Sequence, residues 1–290
     1  MIYSQTPQHP FGGRPGVFNP AGFPRIPSAL RPGLPHALPS DLPLLQAAMA
    51  AQTPASGRKR TLIVKLLDES GSMTTGADQT RKAYNDQLAL IRANAEEVGA
   101  EVTQINFNSD IRLLASHMQA SQLIELTPGN YVPSGGTALY DAVAAAIKYV
   151  LGHPNAACAD TAVMLYVFTD GDDTSSGLWG DGGYTNKRAS SSFRALMHAV
   201  RNNPRWTVAL AGPDTRLAQF ADEMAVDSGN VAAFKPESVA SRMDALAGSA
   251  HAFTTYLNAR TEGALRSANL YAGTAAHALA MSCLQQAAPN

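Results

Sequence analysis

Cysteine is scarce in this 290-residue chain, and so are long apolar runs. The two cysteines, Cys158 and Cys283, lie far apart and make no metal-binding spacing, so we expect free thiols in a reducing compartment. The best apolar stretch, from Ala142 to Leu151, is much shorter than the roughly 20 residues that a bilayer requires. The first residues also lack the basic and then apolar order of a signal peptide. These absences predict a cytoplasmic protein without a membrane span.

An excess of positive charge is also missing. The sequence has 22 Lys and Arg residues against 23 Asp and Glu residues, and this formal net charge of -1 gives no general attraction to nucleic acid. The seven histidines form no HExxH motif and no close pair in the sequence, so zinc-dependent hydrolysis has no support. What the chain does have is 45% hydrophobic and 16% charged residues, which is the balance of a globular protein.

Proline divides the chain into regions. Eleven of the 18 prolines fall within the first 60 residues, and this density fixes φ and removes donors too often for a helix or a central strand. We therefore predict a Pro-rich arm over residues 1–58, disordered or bound to a partner, with room for a short helix from Leu42 to Ala51. An α/β domain follows over residues 59–262, and an Ala-rich tail over residues 263–290 completes the predicted organisation.

Strands and helices alternate along the predicted domain. Near-continuous apolar runs such as Leu62–Leu67 and Val163–Phe168 are typical of strands covered on both faces. Amphipathic spacings between such runs predict helices, of which the longest starts after Pro236 and extends to Leu257. A hairpin is predicted around the tight turn at Asn106–Asp110. The pattern indicates the α/β class with a doubly wound, mostly parallel, Rossmann-like sheet, whose ligand sites lie at the carboxyl ends of the strands.

Oxygen-bearing side chains stand where the predicted strands end. Asp68, Ser70 and Ser72 follow the first strand, Asp170 follows a later strand, and Thr137 comes just before a helix. The carboxyl ends of neighbouring parallel strands meet at one edge of the sheet, so we expect both carboxylates and the Thr137 hydroxyl to share one crevice. Two carboxylates and three hydroxyls, without His or Cys, suit a hard cation such as Mg²⁺ rather than zinc. The sequence therefore predicts a divalent-metal site formed by these residues.

In this order and spacing, these residues resemble the metal-ion-dependent adhesion site (MIDAS) of the von Willebrand factor A (vWA) domain, whose pattern is DxSxS, then Thr, then Asp. The resemblance covers roughly Lys59 to Arg260 and is that of an intracellular, bacterial or phage-type member. It implies a central sheet with one antiparallel edge strand, which matches the predicted hairpin. It also implies Mg²⁺ or Mn²⁺ as the cofactor and, in switching members of the family, a last helix that slides when the metal changes ligands.

The predicted site is better suited to binding than to turnover. If the hydroxyls bind directly and the aspartates act largely through waters, the cation stays electrophilic and keeps an open position. An Asp or Glu of a protein partner then replaces a water and becomes the charged ligand. We therefore predict a non-enzymatic protein-interaction module, for instance an accessory factor of a larger assembly or of an AAA+ ATPase. The residues predicted to form a partner-binding rim around the metal are Glu69, Met73, Trp179 and Tyr184.

Other interpretations of the same residues stay open. The serines and Thr137 are also compatible with helix caps, and the two rim aromatics with a surface loop that packs against the domain. A structural or assembly protein whose arm and tail make the contacts is the second functional hypothesis. The third is a haloacid-dehalogenase-like phosphatase, in which Asp170 and Asp172 of a DxDxT sequence act as nucleophile and general acid. That hypothesis leaves Asp68 and Thr137 without a role.

Overall fold

A six-stranded sheet forms the centre of the computed structural model, which describes residue 34 and residues 36–183 and 187–287. Its strands are β1 (Arg60–Asp68), β2 (Ala100–Phe107), β3 (Ile111–Gln119), β4 (Thr161–Phe168), β5 (Trp206–Pro213) and β6 (Val231–Phe234). The strand order is β3-β2-β1-β4-β5-β6; β3 is antiparallel to β2, and all other neighbours are parallel. The α/β class, the mostly parallel doubly wound sheet and the antiparallel edge hairpin predicted from the sequence are confirmed.

Helices cover both faces of this sheet. They are α1 (Leu42–Ala50), α2 (Ala77–Asn94), α3 (Leu139–Leu151), α4 (Ser191–Asn202), α5 (Leu217–Glu223), α6 (Val239–Thr261) and α7 (Ala275–Ala287). Helices α3, α4 and α5 pack on one face together with α1, and α2 and α6 pack on the other. Helix α7 packs against β6, α6 and α5. Within the described residues, no helix combines the length and the apolar character needed to cross a membrane.

The segments on either side of the predicted domain pack onto it. Leu45 and Met49 of α1 belong to the core on the α3 and α4 face, and Lys148 donates a hydrogen bond of 2.9 Å to Asp41. At the other end, α7 buries Ala280 in the same core. Buried contacts therefore continue across both predicted limits of the domain, residues 59 and 262, and those limits stay predictions. Residues 1–33 of the predicted arm lie outside the described part of the chain.

The central strand β1 carries one charged residue in its buried run. Alternate residues of Leu62–Leu67 face the two cores, and Lys65 falls on the side of α2 and α6, fully buried. Its ammonium lies 4.1 Å from the centre of the Tyr84 ring and 4.4 Å from that of Phe253, and it donates a hydrogen bond of 2.6 Å to Gln87. The ring faces offset part of the cost of burial. Because no carboxylate of the described region pairs with it, burial lowers the pKa of Lys65 well below its usual range.

We expect Lys65 to make the stability of the protein rise with pH over the range that ends at the ordinary lysine pKa of 10.5. The unfolded chain holds a proton on this lysine up to its ordinary pKa of 10.5, whereas the folded protein releases it earlier, so raising the pH removes a cost of folding. In Lys65→Met this contribution is absent. The difference in unfolding free energy between wild type and Lys65→Met should therefore change by up to about 1.4 kcal/mol per pH unit. Denaturant titrations at several pH values measure it, with Lys82→Met, an exposed lysine of α2, as control. Parallel pH profiles for wild type and Lys65→Met would contradict the expectation.

Candidate metal centre

The predicted metal ligands meet at the carboxyl edge of the sheet. Asp68 is the last residue of β1, and Ser70 and Ser72 lie in the turn that follows it. Asp170 stands two residues beyond the end of β4, which is the parallel neighbour of β1. Thr137 lies just before the start of α3. The pairing of β1 with β4 therefore brings the two carboxylates to one place, in the way that the sequence predicted.

Hydrogen bonds link these side chains to one another. Ser72 Oγ donates to Asp170 Oδ1 at 2.6 Å, and Ser70 Oγ lies 3.0 Å from Ser72 Oγ. Asp68 Oδ1 accepts the backbone N–H of Ser70 at 2.7 Å, and its Oδ2 accepts the hydroxyl of Thr169 at 2.7 Å. The two serine hydroxyls thus stand between the carboxylates, and Asp68 is held in one orientation from two sides.

Thr137 is brought to the same place by the loop that precedes α3. A Cβ atom placed on Gly171 would lie 3.5 Å from Ser72 Oγ and 3.9 Å from Thr137 Oγ1, so both hydroxyls flank this turn. The Thr137 N–H donates to Thr174 Oγ1 at 3.0 Å, and the Thr137 carbonyl accepts the N–H of Thr174 at 2.9 Å. A side chain at Gly136 would press on this contact, because its Cβ would lie 2.7 Å from Thr174 Oγ1. The glycine before Thr137 therefore lets the two loops approach closely.

The two aspartates are buried. Asp68 is 0% exposed and Asp170 is 4% exposed. Burial, and then the negative charge of Asp170, raise the pKa of Asp68 to about 7, although hydrogen bonds from its neighbours act in the other direction. Burial also raises the pKa of Asp170, and this effect is reduced by the hydroxyl of Ser72 and by the charge of Arg242. Without a bound cation, Asp68 therefore favours its protonated form below about pH 7.

Arg242 of α6 also contacts the site, although the predicted set of site residues did not include it. Its Nη2 lies 3.0 Å from Asp170 Oδ2, and its side chain is only 4% exposed. The guanidinium also donates to the carbonyls of Thr75 and Pro236. Asp170 thus turns one oxygen to Arg242 and the other to Ser72. The arginine therefore links α6 to the candidate metal centre.

The sequence did contain a signal for Arg242. It stands four residues before Leu246 and seven before Ser249, on the face of α6 that is buried. A basic residue at a core position of a helix calls for an anionic partner, because an unpaired buried charge is costly. Matching this arginine with an aspartate at a strand end would have identified the pair.

The predicted rim differs from the structure at Trp179. This residue is 0% exposed; its indole N–H donates to the Ala37 carbonyl at 2.7 Å, and its ring packs edge-on against Phe193. Asp141 holds the loop by accepting the backbone N–H of Trp179 at 2.8 Å. The rim prediction for Trp179 is wrong, because a carbonyl far away in the sequence gives the indole a buried hydrogen-bond partner.

Glu69 and Met73 are buried as well. Glu69 is 1% exposed, forms an ion pair with Arg112 and accepts the backbone N–H of Val132. Met73 is 0% exposed and belongs to the core on the α2 and α6 face. Their assignment to the rim is wrong, since neither side chain reaches the surface. Tyr184, the fourth predicted rim residue, lies outside the described residues.

The two aspartates of the DxDxT sequence have different partners. Asp172 forms an ion pair with Arg216, which precedes α5, whereas Asp170 contacts Ser72 and Arg242. A phosphatase of the predicted kind needs the first carboxylate as nucleophile and the second as acid for the same substrate. The separate ion pairs lend this hypothesis no support.

The donor set fits a hard divalent cation. All five side chains offer oxygen, which is the ligand that Mg²⁺ prefers in proteins. The two buried carboxylates also supply negative charge that attracts a cation, and the charge of Asp170 raises the proton affinity of Asp68. Arg242 contacts only one oxygen of Asp170, and the other oxygen faces Ser72. The side chains present are therefore compatible with the metal that the resemblance implies.

Comparisons with known proteins concern the fold. No family model matches the sequence, and no curated protein matches it either. The vWF domain of the type V pili tip protein Mfa5 from Porphyromonas gingivalis is similar with a TM-score of 0.47 and 10% identity, over 73% of this chain and 98% of that chain. The PilB minor pilin from Streptococcus sanguinis gives 0.46 and 12%, over 73% and 64%. A von Willebrand factor type A protein from Catenulispora acidiphila gives 0.37 and 17%, over 67% and 43%. The chain thus spans less than two thirds of the pilin's length.

Proposed function

We propose that this chain is a protein-interaction module of the vWA type with a MIDAS that holds Mg²⁺ or Mn²⁺. The proposed ligands are Asp68, Ser70, Ser72, Thr137 and Asp170, and a protein partner supplies an Asp or Glu to the cation. The observation that supports this best is the convergence of three hydroxyls and two buried carboxylates at one edge of the sheet. We further propose that the protein acts in the cytoplasm as an accessory factor of a larger assembly or of an AAA+ ATPase, without enzymatic activity.

The charges of the site favour binding of an acidic ligand. When bound, the cation supplies an electrophilic centre whose water positions can be exchanged. The three hydroxyl ligands are neutral, and Arg242 offsets part of the charge of Asp170, so the chain's own residues leave much of the ion's charge unneutralised. Asp68 is already oriented by its hydrogen bonds to Ser70 and Thr169. A carboxylate from a partner is the ligand that the residual positive charge selects.

The exposed surface beside the site offers partner contacts other than the four predicted rim residues. Ser72 and Ser134 are exposed, and the side chain of Val132 is 56% exposed. The loop at residues 132–136 is fastened to the turn after β1 by a hydrogen bond of 2.9 Å from the Ser134 N–H to the Glu69 carbonyl. We propose that this loop contacts the partner around its acidic side chain.

Metal binding is tested with Mn²⁺ alone, by isothermal titration calorimetry on the full chain. We expect Ser72→Ala to bind Mn²⁺ at least about tenfold more weakly than wild type, because it removes a direct ligand. The matched control is Thr75→Ala, which removes another exposed hydroxyl three residues further along the same turn and should bind like wild type. An unchanged affinity in Ser72→Ala would exclude this set of ligands.

Partner binding is tested by capture from the source cells, in Mg²⁺ and in chelator, with the same two variants as bait. We expect capture to require both the metal and the Ser72 hydroxyl. Capture that persists in chelator but fails for a chain shortened to residues 34–290 would support the assembly hypothesis instead. Hydrolysis of a phosphate ester that Asp170→Asn abolishes would support the enzyme hypothesis.

A further inference from the structure

A second group of side chains that can ligate a metal lies at the start of β2. This is the other end of the parallel strands from the candidate metal centre. Glu101 stands at the start of β2, His117 lies near the end of β3, and His153 follows α3. One ligand atom from each residue lies within 4.8 Å of the other two. Along the pair of strands β1 and β2, Glu101 is six residues before the partner of Asp68, which separates the two groups by about 20 Å. This cluster is therefore independent of the candidate MIDAS.

We propose that Glu101, His117 and His153 form a binding site for Zn²⁺ or a similar borderline divalent cation. Two imidazole nitrogens and one carboxylate oxygen are ligands that Zn²⁺ accepts and that Mg²⁺ does not favour. His153 Nε2 lies 3.2 Å from Glu101 Oε2. Tetrahedral zinc with bonds of about 2.0–2.1 Å places neighbouring ligand atoms about 3.3–3.4 Å apart, so this pair already has the required spacing.

The backbone around His117 departs from a regular strand in a way that brings its ring to the cluster. The pairing of β2 with β3 shifts register between Val102 and Gln104, and His117 has a left-handed φ of +44°. Bulges of this kind redirect a side chain, and a non-glycine residue keeps a positive φ only where its surroundings hold it. Here the His117 ring stacks on Tyr149 at 5.0 Å and lies 4.5 Å from the ring of His153.

The protonation of the two rings is compatible with metal binding. Burial, and then the neighbouring His153, lower the pKa of His117, which favours the neutral imidazole that binds metals. His153 Nδ1 accepts the backbone N–H of Asn155 at 3.2 Å, which places the ring proton on Nε2, towards Glu101. To bind a metal through Nε2 as a neutral imidazole, His153 moves this proton to Nδ1 and gives up the hydrogen bond from Asn155. The other carboxylate oxygen, Glu101 Oε1, faces Arg60 at 3.9 Å.

Three protein ligands leave a fourth position of a tetrahedral ion for water. The cluster borders an open pocket lined by His117, His153 and the neighbouring residues Lys148, Tyr149 and Pro154, which gives an ion a path from solvent. The site joins the edge hairpin to the end of α3. Bound metal should therefore stabilise this edge of the sheet rather than take part in the proposed recognition of an acidic partner.

The test is a Zn²⁺ titration of the full chain in excess Mg²⁺, followed by competition with a chromogenic chelator. We expect one Zn²⁺ per chain, with binding weakened at least about tenfold in His117→Ala and in His153→Ala. His198→Ala, which removes an exposed histidine of α4, is the matched control and should bind like wild type. Co²⁺ in place of Zn²⁺ should give the visible absorption of a four-coordinate ion in wild type and not in the two variants.

Thermal unfolding gives a second readout and separates this site from the MIDAS. Zn²⁺ should raise the melting temperature of wild type, of His198→Ala and of Asp68→Ala alike, because ligand binding stabilises only the folded state. Glu101→Gln keeps the size of the side chain and serves if a histidine variant fails to fold. Zn²⁺ binding that is equally strong in wild type, His153→Ala and Glu101→Gln would overturn the proposal. So would the absence of binding at micromolar Zn²⁺.

Discussion

Replacement of Asp170 by alanine should destabilise the metal-free protein by about 3–5 kcal/mol, the usual cost of removing one partner of a buried ion pair. Arg242 would keep its charge where its side chain is 4% exposed. The carbonyls of Thr75 and Pro236 would stay as hydrogen-bond acceptors, but neither carries the negative charge that balances a guanidinium. Urea unfolding of Asp170→Ala and wild type in chelator measures the difference. The same variant should also lose Mn²⁺ binding, since Asp170 is a proposed ligand.

The double variant Asp170→Ala/Arg242→Met separates the unpaired charge from the lost ligand. Replacing both members of a buried pair by apolar groups is often nearly neutral, so this protein should recover most of the lost stability. It should not recover Mn²⁺ binding, because the carboxylate is still missing. A double variant that is no more stable than Asp170→Ala would contradict the view that Arg242 is the source of the instability.

Replacement of Asp68 by asparagine should stabilise the metal-free protein at alkaline pH. Burial raises the pKa of this carboxyl from 3.8 in the unfolded chain to about 7 in the folded protein. As the pH rises from about 4 to 7, the unfolded chain therefore releases its proton first, and the folded state loses stability. At pH 8 in chelator, Asp68→Asn should be more stable than wild type by roughly 4 kcal/mol, and the gain should vanish below about pH 4.

Mg²⁺ should make wild type more stable than Asp68→Asn at pH 8. An ion that binds the folded state only raises the stability of wild type according to its concentration, whereas Asp68→Asn lacks a proposed ligand and should respond weakly. Melting temperatures of both proteins at pH 8, with and without Mg²⁺, show whether wild type becomes the more stable of the two when Mg²⁺ is present. Asp78→Asn, at an aspartate whose side chain is 84% exposed, should show neither effect. Equal responses of wild type and Asp68→Asn to Mg²⁺ would exclude Asp68 as a ligand.

The positions of the strands and the grouping of the proposed ligands could be predicted from local features of the sequence. A central parallel strand is apolar on both faces, and β4 is buried along its whole length. Each proposed ligand stands next to the end of an element, so the strand topology alone brings the group together. Helix α7 was not predicted within the Ala-rich tail, because its buried residues, Ala276 and Ala280, give only a weak apolar pattern.

The residues that could not be placed from the sequence depend on contacts between distant segments. Trp179 is buried because its indole reaches a carbonyl 142 residues away. His153 and Glu101 are 52 residues apart and meet only through the packing of α3 against the sheet. Exposure is decided by such contacts, so a loop with aromatic residues in sequence does not have to present them to a partner.

The bond between Trp179 and Ala37 bears on how the metal centre can be studied in isolation. A fragment trimmed to residues 59–262 would keep all five proposed ligands and yet lose the carbonyl that anchors the loop after Asp170. It would also leave the amide of Asn203 without the Met49 carbonyl that it contacts at 2.7 Å. Weak metal binding by such a fragment would then report a loosened loop rather than a wrong choice of ligands. Recombinant versions of this domain should therefore begin no later than Leu34, which belongs to the same core as α1.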